Sequence, residues 1–222
     1  SVYLSKVSLM KLIVVSSAYD IENEIGLIEL MFRKGMDKFH LRKPNYTTKD
    51  YETFLDRLHP KFRKHIIIHS RHNMAFRYKL KGINLGRNHK RTKLKTFWKV
   101  LKMKLINKKL IVTSEFDSLT QFNASRYPYD YVMLSPVYDS ISKKGKRSKF
   151  NHSRLKKAFK TKKNYEVYAG GGITASRIAH CQELGFDGVV VMGSIWESED
   201  PIASFEECLN VCNKLASDGK VE

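Results

Sequence analysis

Two glycine-rich stretches mark where this chain can hold an anion: Ala169-Gly170-Gly171-Gly172-Ile173-Thr174 and Met192-Gly193-Ser194-Ile195. Each follows a short apolar run. Glycine lets the backbone turn its N–H groups toward one point, and a helix start adds the positive end of its dipole, so the ligand that suits this arrangement is a phosphate. A third stretch, Asp130–Phe150, begins with the apolar Tyr131-Val132-Met133-Leu134. It turns at Ser135-Pro136 and runs into hydroxyls and cations: Ser140, Ser142, Lys143, Lys144, Lys146 and Arg147. A lysine such as Lys143 is a mobile point charge that can bridge phosphates, and the two serine hydroxyls supply further donors. Most of Lys144 to Lys149 read as a solvated face.

The whole chain leans the same way. Its 222 residues carry 41 Lys and Arg against 22 Asp and Glu, a formal net charge of +19. The partners this favours are anionic: phosphorylated small molecules, nucleic acid or an acidic surface. Cys181, Cys208 and Cys212 have no CxxC spacing and read as buried free thiols. No window of about 18 apolar residues exists, so no membrane span and no membrane partner are expected. Residues 1–10 do not read as a signal peptide and are expected to be an extension before Met10, with a reducing, cytoplasmic location.

Positioning these groups is the task of eight short β-branched or aromatic runs: 11–17, 38–41, 65–69, 82–85, 109–114, 129–134, 165–169 and 187–192. Helical spacing falls between them at 21–35 (with Asp20 as its cap), 48–58 (behind Thr47), 92–103, 151–160, 174–185 and 200–216. Continuous apolar strands alternating with helices imply a parallel sheet covered by helices. Eight such units predict a single-domain (β/α)8 TIM barrel over 11–222. An open doubly wound sheet would carry a glycine-rich turn after its first strand, whereas the sequence there is SSAYD. In a barrel, function collects at the C-terminal ends of the strands and phosphate binds after strands 7 and 8. Both glycine stretches fall there, with the hydroxyl-and-lysine stretch on neighbouring strand 6.

The stretches VYAGGGITASRI (167–178), LGFDGVVVMGSIWESEDP (184–201) and YDYVMLSPVYDSISKK (129–144) resemble the thiamine-phosphate synthase and thiazole tautomerase superfamily. HLRKP (40–44) and KGINLGRNH (81–89) are similar to that family's earlier motifs. The resemblance implies an enzyme of thiamine biosynthesis that joins a hydroxymethylpyrimidine pyrophosphate to a thiazole phosphate and releases pyrophosphate. It implies Arg42 and Lys143 as catalytic cations and Ser140 and Ser142 as phosphate donors. Gly171, Gly172, Gly193 and Ser194 fall on the thiazole-phosphate cradle, and Lys43 is expected beside Arg42 on the pyrophosphate.

The sequence also departs from the family. His40 stands where the family has glutamine, His69-Ser70 where it has an Asn-Asp pair, and His89 where it has an aspartate, so both usual magnesium carboxylates are missing. His40, His69 and His89 are therefore carried as substrate-binding candidates. No Asp or Glu occurs from Arg57 to Ser114, a stretch with eighteen Lys and Arg. Magnesium prefers hard oxygen ligands, so Mg2+ is expected to be held mainly by substrate phosphates, or by Glu115 or Asp139. Alternatively, Arg42, Lys43, Arg71 and Arg87 neutralise the leaving group directly. The metal is left open, including a transition metal on the three histidines. Two other functions stay open: a tautomerase-like isomerase with His40 as proton carrier, and a non-catalytic barrel binding a phosphorylated ligand or nucleic acid. Nucleic acid is not the expected partner, and the oligomeric state is unknown.

Overall fold

The eight apolar runs become β1 (Lys11–Val15), β2 (Lys38–Leu41), β3 (Ile66–Ile68), β4 (Gly82–Leu85), β5 (Ile111–Phe116), β6 (Tyr131–Leu134), β7 (Glu166–Gly170) and β8 (Gly188–Val191). All pairings are parallel and follow chain order, and β8 returns to β1 to close the barrel. The computed structural model describes residues 10–86, 93–125, 127–139, 141, 147–148, 150–159 and 165–218. His89, Ser140, Ser142, Lys143, Arg87 and all but the last residue of the expected 1–10 extension lie outside these.

Successive strand side chains point to opposite faces. Ile13 and Val15 of β1, Ile67 of β3, Tyr131 and Met133 of β6, Tyr168 of β7 and Val190 of β8 fill the barrel interior as one cluster. Their neighbours, among them Leu12, Val14, Phe39, Leu41 and Val132, belong to a larger core shared with the helices. Burial on both faces explains why these strands read as unbroken apolar runs. His40, Asn84 and Thr113 are buried polar residues on the strands, and the first two form the floor of the site.

Helices Glu24–Arg33, Thr48–Arg57, Lys93–Ile106, His152–Phe159, Ala175–Glu183 and Pro201–Asp218 lie where 3.6-residue spacing places them. Thr47 caps the second through a full capping box with Asp50. The first starts later than expected: its cap is Asn23, in left-handed conformation with φ 52° and no side-chain cap bond. Asp20 instead accepts a hydrogen bond from the Tyr46 hydroxyl. Short helices at Pro60–Arg63, Met74–Arg77, Leu119–Ala124 and Gly193–Trp196 were not legible, because one or two turns are too few to show a period. Cys181, Cys208 and Cys212 are buried and free, as read from their spacing. Burial pushes their thiols up to about 11, 11 and 12, which keeps them protonated.

Candidate active site

The site is assembled at the C-terminal ends of the strands. After β6 the chain turns at Ser135-Pro136 and lies directly on the β7 loop: the Val137 N–H donates to the Gly170 carbonyl at 2.8 Å and the Tyr138 N–H to the Gly171 carbonyl at 3.1 Å. Gly171 and Gly172 take φ of +82° and +68°. A methyl group on Gly171 would meet Pro136 Cα at 2.6 Å, and one on Gly172 would meet the Asp139 carbonyl oxygen at 2.1 Å. Glycine is required by both the dihedral and the close approach of the neighbouring loop. The next loop is fixed by Trp196, whose indole Nε1–H donates to the Val15 carbonyl at 2.6 Å. Arg177 Nη1 donates to the Gly172 carbonyl at 2.5 Å and braces the glycine loop from outside.

A cavity of about 120 Å³ opens between these loops, with Gly171, Gly172 and Gly193 on one side and Arg42, His69 and Glu115 on the other. It adjoins a groove of about 370 Å³ that shares Arg42, His69, Glu115, Ser135 and Pro136 and extends to Ser70, Asn84 and Asp117. Two chambers therefore share one polar wall. The glycine chamber offers main-chain amides, and the wall offers the cation of Arg42 and the carboxylate of Glu115. Such an arrangement can hold two ligands side by side with a phosphate of one in the glycine cradle.

The floor is a hydrogen-bonded row. Asn84 Nδ2 lies 3.2 Å from His69 Nδ1, His69 Nε2 lies 2.8 Å from His40 Nδ1, and His40 Nε2 lies 2.5 Å from the Tyr131 hydroxyl. With the amide donating, one assignment satisfies all three contacts: His69 Nε2–H donates to His40 and His40 Nε2–H donates to Tyr131. Both imidazoles are then neutral. A proton added to His40 Nδ1 would face an N–H of His69. Burial, together with the nearby Lys38 charge, holds His40 down to about 3. Burial, then His40 and Arg42, holds His69 well below its ordinary value.

The residues expected at the site divide. Arg42, His69, Gly171, Gly172 and Gly193 meet around the cavity. His40 does not reach it: the ring is fully buried under His69 with both nitrogens engaged, so it does not touch a ligand itself. Lys43 lines the adjoining groove, but its ammonium turns away from it. Its ammonium is buried, donating to Glu24 Oε2 and to the Tyr19 carbonyl, each at 2.6 Å, because Glu24 is a buried carboxylate that needs a counter-charge. The Ser194 hydroxyl is buried with no hydrogen-bond partner among the described residues. His89, Ser140, Ser142 and Lys143 are outside those residues. Asp117, Asn84, Ser135 and Tyr131 were missed as site residues. The signal for the first was present: Thr113, Glu115 and Asp117 alternate along β5 and its end, the spacing that aims one face into a barrel.

Among the described residues no group of three or more His, Cys, Asp or Glu could hold an ion. His40 and His69 are adjacent, yet their nitrogens are committed to each other, Asn84 and Tyr131. Asp139 accepts from the Ser148 N–H at 2.7 Å and so braces its loop. These residues do not fit a metal site made by protein side chains alone.

A family description of thiamine monophosphate synthase matches residues 12–195, nearly the whole barrel. The chain belongs to the thiamine monophosphate synthase family. A thiamine-phosphate synthase of Prochlorococcus marinus subsp. pastoris is 26% identical over 177 residues, which cover 80% of this chain and 46% of the relative. The chain thus spans about half the length of the curated relatives it matches first. Among solved structures, a thiamine phosphate pyrophosphorylase from Bacteroides thetaiotaomicron superposes with a TM-score of 0.70 at 25% identity, covering 94% of this chain and 98% of that one. A thiamine phosphate pyrophosphorylase from Pyrococcus furiosus gives 0.73 at 19% identity, covering 95% and 99%, a likeness of fold. Both of these structures share the fold described above.

Proposed function

We propose that this chain is a transferase of thiamine biosynthesis that joins a hydroxymethylpyrimidine pyrophosphate to a thiazole phosphate and releases pyrophosphate. The observation that carries this reading is the pair of chambers sharing Arg42, His69 and Glu115, one of them walled on its far side by two left-handed glycines, inside a barrel of the matching family. The thiazole phosphate occupies the glycine cradle of Gly171, Gly172 and Gly193, with Ser194 as a further donor. The pyrimidine pyrophosphate lies in the adjoining groove. Arg42, which makes no ion pair among the described residues, stabilises the charge that grows on the departing pyrophosphate. The thiazole nitrogen then attacks the pyrimidine methylene carbon across the shared wall. Ser140, Ser142 and Lys143 are proposed, from the sequence, to close over the phosphates. Magnesium, when it takes part, is proposed to arrive on the substrate's phosphates, since the described residues do not fit it by themselves.

The test is direct. Purified chain incubated with both phosphorylated substrates, with and without Mg2+, is expected to yield coupled product and pyrophosphate in equal amounts. No product under any of these conditions would refute the reading.

A further inference from the structure

Helix Lys93–Ile106 is built inside out for a barrel helix. At about 100° per residue, Thr96, Val100 and Met103 form the side that is buried against the core. Leu94, Trp98, Leu101 and Leu105 fall within roughly 60° of one another on the opposite side, where charged residues normally stand. Leu94 and Leu105 are each 72% exposed and Trp98 61%. Phe97 flanks the ridge, its ring 5.8 Å from that of Trp98 in an edge-to-face contact. Lys95, Lys99 and Lys102 are exposed along one flank and Lys104 lies on the other. Only Lys104 of these four makes an ion pair among the described residues, with Asp130 at 3.3 Å. The helix sits inside the long stretch without a single carboxylate between Arg57 and Ser114.

We propose that this helix is a docking surface for an anionic lipid bilayer, with the apolar ridge in the acyl boundary and the lysines on lipid phosphates and carboxylates. Three features select that occupant. The ridge is the outermost line of the helix, a shape that a fluid interface accepts and that a folded protein accepts only with a matching groove. Tryptophan and leucine on an outward face between lysines match the composition of interfacial helices, whose lysines extend their charge along the headgroups. A second copy would bring the same lysines to the same ridge, and like charges meeting in an interface oppose it. Nucleic acid would engage the lysines but leave the leucine ridge without a partner. The helix is 14 residues long and no described helix is long and apolar enough to cross a membrane, so the association is at the surface. A surface association needs no span, so the expectation of no membrane partner, drawn from the absence of one, does not bear on it, and it does not depend on the proposed reaction.

Flotation of the full chain with vesicles of phosphatidylcholine alone, and with about a third phosphatidylserine, tests the proposal. Binding is expected to the anionic vesicles only, weakened by salt, with a blue shift of Trp98 emission that the Trp98→Phe variant lacks. Because a net charge of +19 attracts any anionic surface, two variants of equal charge change are compared. Lys95→Glu/Lys99→Glu is expected to weaken binding at least tenfold, and Lys156→Glu/Lys157→Glu on another exposed helix only slightly. Leu94→Ser/Trp98→Ser, which removes no charge, is expected to weaken binding about tenfold while thermal unfolding stays unchanged. The proposal is overturned by no flotation at low salt, by equal losses in both charge variants, or by full binding of Leu94→Ser/Trp98→Ser. It is also overturned if the chain forms a lipid-free dimer in sedimentation that Trp98→Ser dissolves, which would assign the ridge to a second copy.

Discussion

His40 Nδ1 lies 2.8 Å from His69 Nε2 beneath the cavity, and each ring spends its second nitrogen on a different neighbour, Tyr131 for one and Asn84 for the other. The pair works as a single neutral unit. It gives the site a floor that is polar yet uncharged, so Arg42 is the cation that faces the shared wall from β2.

That neutrality makes stability depend on pH. Both histidines have folded values below the unfolded 6.5, so the unfolded chain binds more protons as pH falls below 6.5. Their contribution is complete above that pH and is lost progressively toward 3, at up to about 1.4 kcal/mol per pH unit for each ring. Denaturant titrations at pH 7.5 and 5 are expected to show wild type losing about 2 kcal/mol more between the two than His40→Gln does. Equal losses would show that His40 titrates normally in the fold.

Arg42 and Lys43 are neighbours in sequence with opposite tasks. Arg42→Ala is expected to reduce turnover about 100-fold or more and to change stability by less than about 1 kcal/mol, since its guanidinium faces the cavity. Lys43→Met leaves the buried Glu24 carboxylate without its partner, a loss of about 3–5 kcal/mol. Adding Glu24→Gln to Lys43→Met is expected to restore most of that stability. Turnover per folded molecule and urea midpoints separate the two effects; a stable, inactive Lys43→Met would return Lys43 to the site.

Legibility followed periodicity. All eight strands were readable, because residues such as Ile66–Ile68 and Gly188–Val191 are buried on both faces and leave short apolar runs rich in β-branched residues. The conformation of the glycine loop was readable as well, since Gly171 and Gly172 take dihedrals that other residues resist. The direction of a long side chain was not. Nothing in HLRKP says that Lys43 turns to Glu24 while Arg42 turns to the cavity, because Glu24 lies nineteen positions away and is brought close only when β2 pairs beside β1 with the helix between them packed on the outside. The same holds for His40, whose partners Tyr131 and His69 come from strands 6 and 3.

The glycine cradle itself can be challenged at Gly172. A methyl there meets the Asp139 carbonyl at 2.1 Å and must sit at φ +68°, so Gly172→Ala is expected to cost about 2–4 kcal/mol and to push the β6 loop off the β7 loop. The kinetic signature is a KM for the thiazole phosphate raised at least tenfold, with the KM for the pyrophosphate substrate changed little. A uniform change in both would mean that the cradle does not discriminate between them.

Metal dependence offers the last check on the shared wall. Carboxylates hold divalent ions most effectively when two or more converge, and the described residues bring no group of three candidate ligands together. The net charge of +19 works against a free dication as well. Calorimetric titration of the substrate-free chain with Mg2+ is therefore expected to show no uptake below about 1 mM. In the presence of pyrophosphate, which brings oxygen ligands of its own, Mg2+ is expected to bind together with it, and Arg42→Ala to weaken that joint binding. Tight, stoichiometric Mg2+ uptake by the free chain would locate a protein-made site and remove the argument that Arg42 and the substrate's own phosphates share the charge.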